Sequence, residues 1–323
     1  MKGEEMEDTK KAGQELPQDD IAELLKEKKG GFVIKSFNWW APLRLRAWAL
    51  AAMLKGYFSF SEFCQLSLPS FFGDKSKFMD RYQAFLCEEL KKECLGSSDN
   101  CVNLFGRKFG ELNYYGVTHL INEVIILDQY HANQFLKKDS IVIDAGAHIG
   151  TFSVFAARLA PQGRVYSFEP VAETFQTLKK NAEYYPQITC VNYGLGDGIY
   201  QKNIFVDSRS TKGSVFEDSP LYSGKSDGRE RESAIILTID AFVAEHGISR
   251  INFIKIDAEG YEAKILKGAR ESIKKWKPVI AMSAYHNPND KKDLPRIMKE
   301  ICPDYICELH HDHEEDFICY IKK

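Results

Sequence analysis

From Ser140 to its end the chain alternates short apolar runs with helix-length amphipathic runs, and this rhythm restricts the possible folds more than any other feature. The pattern predicts strands at 140–144, 164–169, 188–193, 251–257 and 278–284. Between and after them it predicts helices at 151–159, 172–184, 263–275 and 291–301. Strands separated by 10–15-residue helices imply a parallel, doubly wound sheet, here a Rossmann-like α/β domain. Two last strands, 305–309 and 317–321, sit too close for a crossover helix and must form an antiparallel hairpin at the sheet edge. Residues 198–234, rich in Ser, Gly and charge, interrupt the rhythm as a long insertion of the kind that is usually functional or disordered.

The first strand runs into Asp144-Ala-Gly-Ala-His-Ile-Gly150 and a helix opens at Thr151. Gly146 and Gly150 let the backbone turn tightly and let a ligand approach the main chain. A dinucleotide fingerprint would read G-x-G-x-x-G and place a pyrophosphate on the helix N-terminus. Here a carboxylate, Asp144, precedes the first glycine. It discourages a pyrophosphate and suits a cationic ligand such as S-adenosylmethionine, with its ammonium and sulfonium. Glu169 closes the second strand (Val165-Tyr-Ser-Phe-Glu169-Pro170), where an acid can accept hydrogen bonds from both hydroxyls of a ribose.

With these residues in view, 120–323 resembles the FkbM family of methyltransferases. The resemblance is carried by Ile125-Ile-Leu-Asp-Gln-Tyr130, Asp144-Ala-Gly-Ala-His-Ile-Gly150, Phe168-Glu-Pro170 and Asn192-Tyr-Gly-Leu-Gly-Asp197. It continues in Ile254-Lys-Ile-Asp-Ala-Glu-Gly-Tyr-Glu262, Leu266-Lys-Gly268 and Ser283-Ala-Tyr-His286, with His148 where the family usually has Asn. The resemblance implies that Asp144, Gly146, Ala147, His148 and Gly150 frame the methionine end of S-adenosylmethionine. Glu169 would hold the ribose, and Leu195, Gly196 and Asp197 would border the adenine. It also implies O-methylation of a hydroxyl on a sugar, a glycan or a secondary metabolite, and it requires no metal.

In an open α/β sheet a ligand lies outside the carboxyl ends of the strands. Asp257 and Glu259 end one strand and His286 follows another, so they are the candidate catalytic residues. His286 is the first choice as proton acceptor, because an ordinary imidazole titrates near ~6.5. Asp257 is second, as base or as orienter of the substrate. For Asp257 and Glu259 the competing reading is a turn whose carboxylates cap backbone N–H groups. His310-His-Asp-His-Glu-Glu-Asp316 contains metal-ligand types, although a hairpin tip of this composition is more often a solvated loop.

Asp257-Ala-Glu-Gly260 stands where exocyclic-amine methylation of bases commonly needs an Asn/Asp-Pro-Pro-aromatic loop. The net charge of −3 gives no overall attraction for nucleic acid. Alternatives that remain are N-methylation and a domain that binds S-adenosylmethionine without catalysis. The eight cysteines form no C-x-x-C pair and read as buried or free thiols. Residues 1–35 form a polar leader with no signal-peptide pattern, which points to the cytoplasm. Residues 36–98 read as a helical extension or cap. Within it, Trp40, Leu43, Ala47, Leu50 and Leu54 make an amphipathic stripe over 39–55, suited to packing on the catalytic domain or to peripheral contact with a membrane.

Overall fold

In the computed structural model the described residues are 101–322, apart from 106, 111–113, 207–213, 220, 222–229 and 312–313. The leader, the helical extension over 36–98, the stripe over 39–55 and His313 lie outside them. The chain enters through strands β1 (Cys101–Leu104) and β2 (Arg107–Gly110), an antiparallel pair. Helix α1 (Tyr114–Ile121) runs into a π-helical turn, Asn122–Ile126, and then α2 (Ala132–Phe135) follows. The alternation begins with β3 (Ile141–Ala145), α3 (Thr151–Leu159), β4 (Arg164–Phe168), α4 (Ala172–Ala182) and β5 (Ile188–Val191).

The insertion is not a structureless loop. It contributes β7 (Tyr200–Val206), β8 (Val215–Phe216) and β9 (Glu230–Leu237), which join β6 (Gly194–Leu195) in a four-stranded sheet ordered β6-β9-β7-β8. Its polar residues mask a period-2 pattern: Ile204, Val206, Ala234 and Ile236 point inward, while Gln201 and Ile235 face solvent. After it come α5 (Ile239–Glu245), β10 (Phe253–Ile256), α6 (Glu262–Gly268), α7 (Arg270–Trp276), β11 (Val279–Ser283) and α8 (Asp290–Ile301). The one helix expected over 263–275 is therefore two, broken at Ala269. Helix α5, with Thr238 capping Ala241 N–H, was not legible as an element.

The main sheet is ordered β12-β13-β11-β10-β3-β4-β5, with β12 (Ile306–His310) and β13 (Asp316–Tyr320) forming the expected antiparallel edge. The other strands run parallel. The order reverses between β3 and β10, so the carboxyl ends of β3, β4, β10 and β11 form one rim around the switch point.

Parity decides which residues face which layer. Ile143, Ala145, Ile254, Ile256, Ile280 and Met282 join the core built with Phe242, Ile265, Leu266 and Met298 of α5, α6 and α8. Val142, Asp144, Phe253 and Lys255 take the other face, where Phe253 stacks on Phe152 of α3. Among the described residues no helix is long and apolar enough to cross a membrane.

The cysteines correct one expectation. Cys307 and Cys319 are directly opposite in the β12–β13 register and form a disulfide, whereas Cys190 and Cys302 are free. Only the pairing of the hairpin brings together two residues that are 12 apart in sequence. Cleavage of unreduced protein between the two cysteines should leave their peptides linked, Cys307 to Cys319. Reduction should lower unfolding stability by about 2–3 kcal/mol, as expected for a loop of this size. Urea titrations with and without reductant measure this.

Candidate active site

The loop after β3 is pressed against the end of β10. A Cβ on Gly146 would lie 1.9 Å from the Asp257 carbonyl oxygen, and the φ of +75° there already excludes most side chains. Backbone N–H groups of Gly146 and Ala147 donate to the Phe168 carbonyl, at 3.1 and 2.8 Å. His148, at φ 51°, donates its N–H to Glu169 Oε2 at 3.0 Å. Gly150, at φ 90°, starts α3. The predicted framing residues Gly146, Ala147, His148 and Gly150 are thus one loop, joined directly to Glu169.

Asp144 occupies a different place from the one its sequence position suggested. It is fully buried under the loop, with Oδ1 3.2 Å from Lys255 Nζ and Oδ2 accepting from Ser153 at 2.6 Å. Lys255 is its cross-strand neighbour in the β3–β10 register. Nζ also donates to the Gly146 carbonyl at 2.6 Å. Burial works against the lysine charge, but Asp144 and then Asp257 more than offset it and raise the pKa above its ordinary value. The negative charge of Asp144 is therefore matched inside the protein and is not left for a ligand.

Burial pushes Glu169 up to about 7, against the two N–H bonds from Val171 and His148. Burial likewise lowers His148 to about 4, leaving it neutral. Leu195 and Gly196 are held by β9, with Gly196 N–H donating to the Leu237 carbonyl. Asp197 accepts from Tyr200 at 3.1 Å. The Gly196 carbonyl also lies against Gly268 of α6, and it is Asn192 that reaches the Glu169 carbonyl, at 2.9 Å.

Asp257, Glu259 and His286 do come together. His286 Nε2 lies 3.8 Å from Asp257 Oδ1 and 3.6 Å from Glu259 Oε2. Its Nδ1 lies 2.8 Å from Oε1 of Glu262, a fully buried carboxylate that also accepts from the N–H groups of Ala258 and Gly260. Burial opposes charge on this imidazole. The hydrogen bond that Nδ1–H donates to Glu262 and the fields of Glu262, Asp257 and Glu259 prevail and push His286 up to about 10. An imidazole so placed is favoured in its protonated form, in which it donates rather than accepts a proton. Burial also opposes ionisation of Asp257, but Lys255 and His286 hold its carboxyl below the usual range. Oδ2 of Asp257 accepts from Tyr130, at 2.8 Å.

Sequence reasoning gave no role to Tyr130, Lys255 or Glu262, though all three lie inside the quoted motifs. The available signal was charge within a buried run: Lys255 sits mid-strand between Ile254 and Ile256. Asp316, buried and pushed up to about 7 by desolvation, accepts from Gln129 at 2.8 Å and closes the same rim. Of the hairpin-tip histidines among the described residues, His310 packs on the His131 ring and His311 pairs with Glu315.

Residues 144–318, more than half of the chain, match the methyltransferase FkbM domain. The chain belongs to the FkbM methyltransferase family. It is 28% identical over 188 residues to the hexuronic acid methyltransferase AglP of Haloferax volcanii, covering 56% of this chain and 70% of that protein. To the 31-O-demethyl-FK506 methyltransferase FkbM of Streptomyces tacrolimicus it is 26% identical over 162 residues, 42% of this chain and 62% of that one. The antimetabolite synthetase AmbE of Pseudomonas aeruginosa is 26% identical over 196 residues, 50% of this chain, but the match spans only 9% of that much larger protein.

The ion pair under the FkbM-type loop supports a direct test. Replacing Lys255 with Met leaves a buried, uncompensated Asp144 carboxylate and should cost about 3–5 kcal/mol of stability. Adding Asp144→Asn in the same chain should restore much of that loss. Chemical denaturation of the single and double variants gives both numbers.

Proposed function

We propose that this FkbM-family protein transfers a methyl group from S-adenosylmethionine to a hydroxyl oxygen of a sugar, a glycan or a secondary metabolite. The observation that carries the reading is the shared rim. A loop bounded by Gly146 and Gly150 and a buried acid, Glu169, stand at one end. Asp257, Glu259 and His286 stand at the other, joined by the Gly146–Asp257 contact. The name of FkbM, a 31-O-demethyl-FK506 methyltransferase, supports oxygen as the acceptor atom, and that of AglP, a hexuronic acid methyltransferase, supports a sugar acid as one acceptor class.

The residues present fit the methyl donor. Gly146 and Gly150 let the loop close onto the Asp257 carbonyl and Leu178, where a Cβ would clash, and each Glu169 oxygen accepts one N–H, keeping lone pairs for the two ribose hydroxyls. Gly146, Ala147, His148 and Gly150 would hold the methionine end, and Leu195, Gly196 and Asp197 the adenine, with Asn192 steadying the backbone of Glu169. Asp144 acts from beneath, through Lys255 and the loop carbonyl. When bound, S-adenosylmethionine supplies a methyl group on an electrophilic sulfonium.

The chain's own contribution is alignment, worth up to roughly 7–11 kcal/mol, together with handling of the acceptor proton, typically ~10²–10⁴-fold. Asp257, kept ionised by Lys255 and His286 and aimed by Tyr130, orients the acceptor hydroxyl beside Glu259. His286 holds the two carboxylates in place rather than taking the proton.

Calorimetry with S-adenosylhomocysteine tests the donor site. Glu169→Ala should lose about 1.5–3 kcal/mol, or roughly 10–150-fold in affinity. Because burial pushes Glu169 up to about 7, wild-type affinity should fall as pH drops below that value, where the carboxyl becomes protonated and accepts less well. Glu169→Gln should bind weakly with no such limb. Unchanged affinity in both variants would sink the site. A methyl-transfer screen on uronic acids and polyketide alcohols then identifies the acceptor, and Asp257→Asn should lower kcat by ~10²–10⁴-fold while S-adenosylhomocysteine affinity stays nearly constant.

A further inference from the structure

Tyr285 follows β11 with an exposure that its neighbours lack. It is 38% exposed, whereas Ala284 and His286 on either side of it are buried. In the strand order β11 lies between β10 and β13, so Tyr285 stands at the acceptor end of the rim, beside the strand that delivers Asp257. We propose that Tyr285 is the platform on which the acceptor is seated, its ring stacking on the face of a neutral pyranose. The inference rests on the methyl-transfer reading and narrows its acceptor to a sugar without a carboxylate.

Single exposed apolar residues are ordinary on a protein surface. Tyr285 differs in how it is held. Its ring packs against the His286 imidazole, with centroids 4.3 Å apart and a tilt of 54°. That imidazole is itself fixed by Glu262, at 2.8 Å. The hydroxyl end of Tyr285 is turned into the protein. Burial is the largest cause that raises its pKa, followed by the fields of Asp257 and Glu314, a hydrogen bond to Glu314 and the field of Asp316. The open surface of the residue therefore lies on its ring and backbone and not on its hydroxyl. A ring fixed in advance gives contact area without the entropy cost of ordering a mobile side chain on binding.

The surroundings select the occupant. A pyranose carries C–H bonds on its flat faces, polarised by the neighbouring oxygens, and hydroxyls around its edge. The C–H face complements the negative face of an aromatic ring, and the edge hydroxyls donate to carboxylates. Beside Tyr285, the Asp257 side chain is 29% exposed and Glu314 is half-buried, so both present acceptor oxygens to such an edge. A carboxylate on the sugar would meet the same oxygens and be repelled. An alcohol with a mainly apolar body would cover the ring but leave those oxygens desolvated without donors.

The test is a saturation-transfer NMR titration of the whole chain, alone and with S-adenosylhomocysteine. The probes are methyl glucopyranoside and methyl mannopyranoside, with methyl glucuronopyranoside and cyclohexanol for comparison. A neutral pyranoside should receive saturation at its ring C–H protons and bind more tightly than the uronate and cyclohexanol. Tyr285→Ala should weaken it about fivefold or more, while Tyr285→Phe, which keeps the ring, should retain it. Tyr285 is exposed, so both variants should fold, and their S-adenosylhomocysteine affinity should match wild type. Pyranoside binding needs no methyl transfer and donor affinity is measured separately, so the platform and the donor site can fail independently. Absence of saturation in both pyranosides at tens of millimolar overturns the proposal, as does binding unchanged by Tyr285→Ala. Equal loss in Tyr285→Phe would overturn stacking, and binding of the uronate or cyclohexanol as tight as that of the pyranosides would overturn the neutral sugar.

Discussion

The ion pair between Asp144 and Lys255 is the interaction on which the rest of the structure depends. It joins β3 to β10 where the strand order reverses, at the point where a doubly wound sheet opens a crevice. Two charges at this depth are costly to desolvate, and their mutual attraction compensates only because further hydrogen bonds complete each shell. Ser153 completes that of Asp144, and the Gly146 carbonyl completes that of Lys255. The second of these bonds ties the pair to the glycine loop. What looks like a ligand-facing acid is thus part of the loop's foundation, and Glu169 is left as the acid on the ligand side.

A second buried carboxylate, Glu262, organises the other end by the same logic. It holds the turn after β10 through the Ala258 and Gly260 N–H groups and holds His286 through Nδ1. Because Glu262 stands at the start of α6, the position of the acceptor-end residues is coupled to a helix packed in the core. The insertion reaches the same turn from outside through Ser219, while Asp218 engages Tyr261 and Lys264. The segment with the least regular sequence is therefore fastened to the loop that carries Asp257 and Glu259.

The parallel strands, the edge hairpin and the glycine turn were legible because each rests on a local pattern: apolar runs of strand length, helical spacing, or a glycine pair. The small sheet of the insertion was not, because β7 and β9 put polar side chains on their open face and Ser, Gly and charge dominate the composition around them. Likewise α5 is only seven residues long, and the break at Ala269 falls inside an uninterrupted amphipathic pattern.

The sequence by itself determined the family, the fold class and the rim on which Glu169, Asp257, Glu259 and His286 would meet, since strand ends in a parallel sheet share one edge whatever the side chains do. The tertiary structure alone decided what those side chains are. Burial and cross-strand register paired Asp144 with Lys255, pushed the Glu169 pKa up to about 7 and placed three carboxylates around His286, which favour its charged form. Hairpin register likewise turned two distant cysteines into a disulfide. A residue's type and spacing fix where it sits along an element. Its charge state and bonding depend on neighbours from other elements, and those neighbours exist only once the chain is folded.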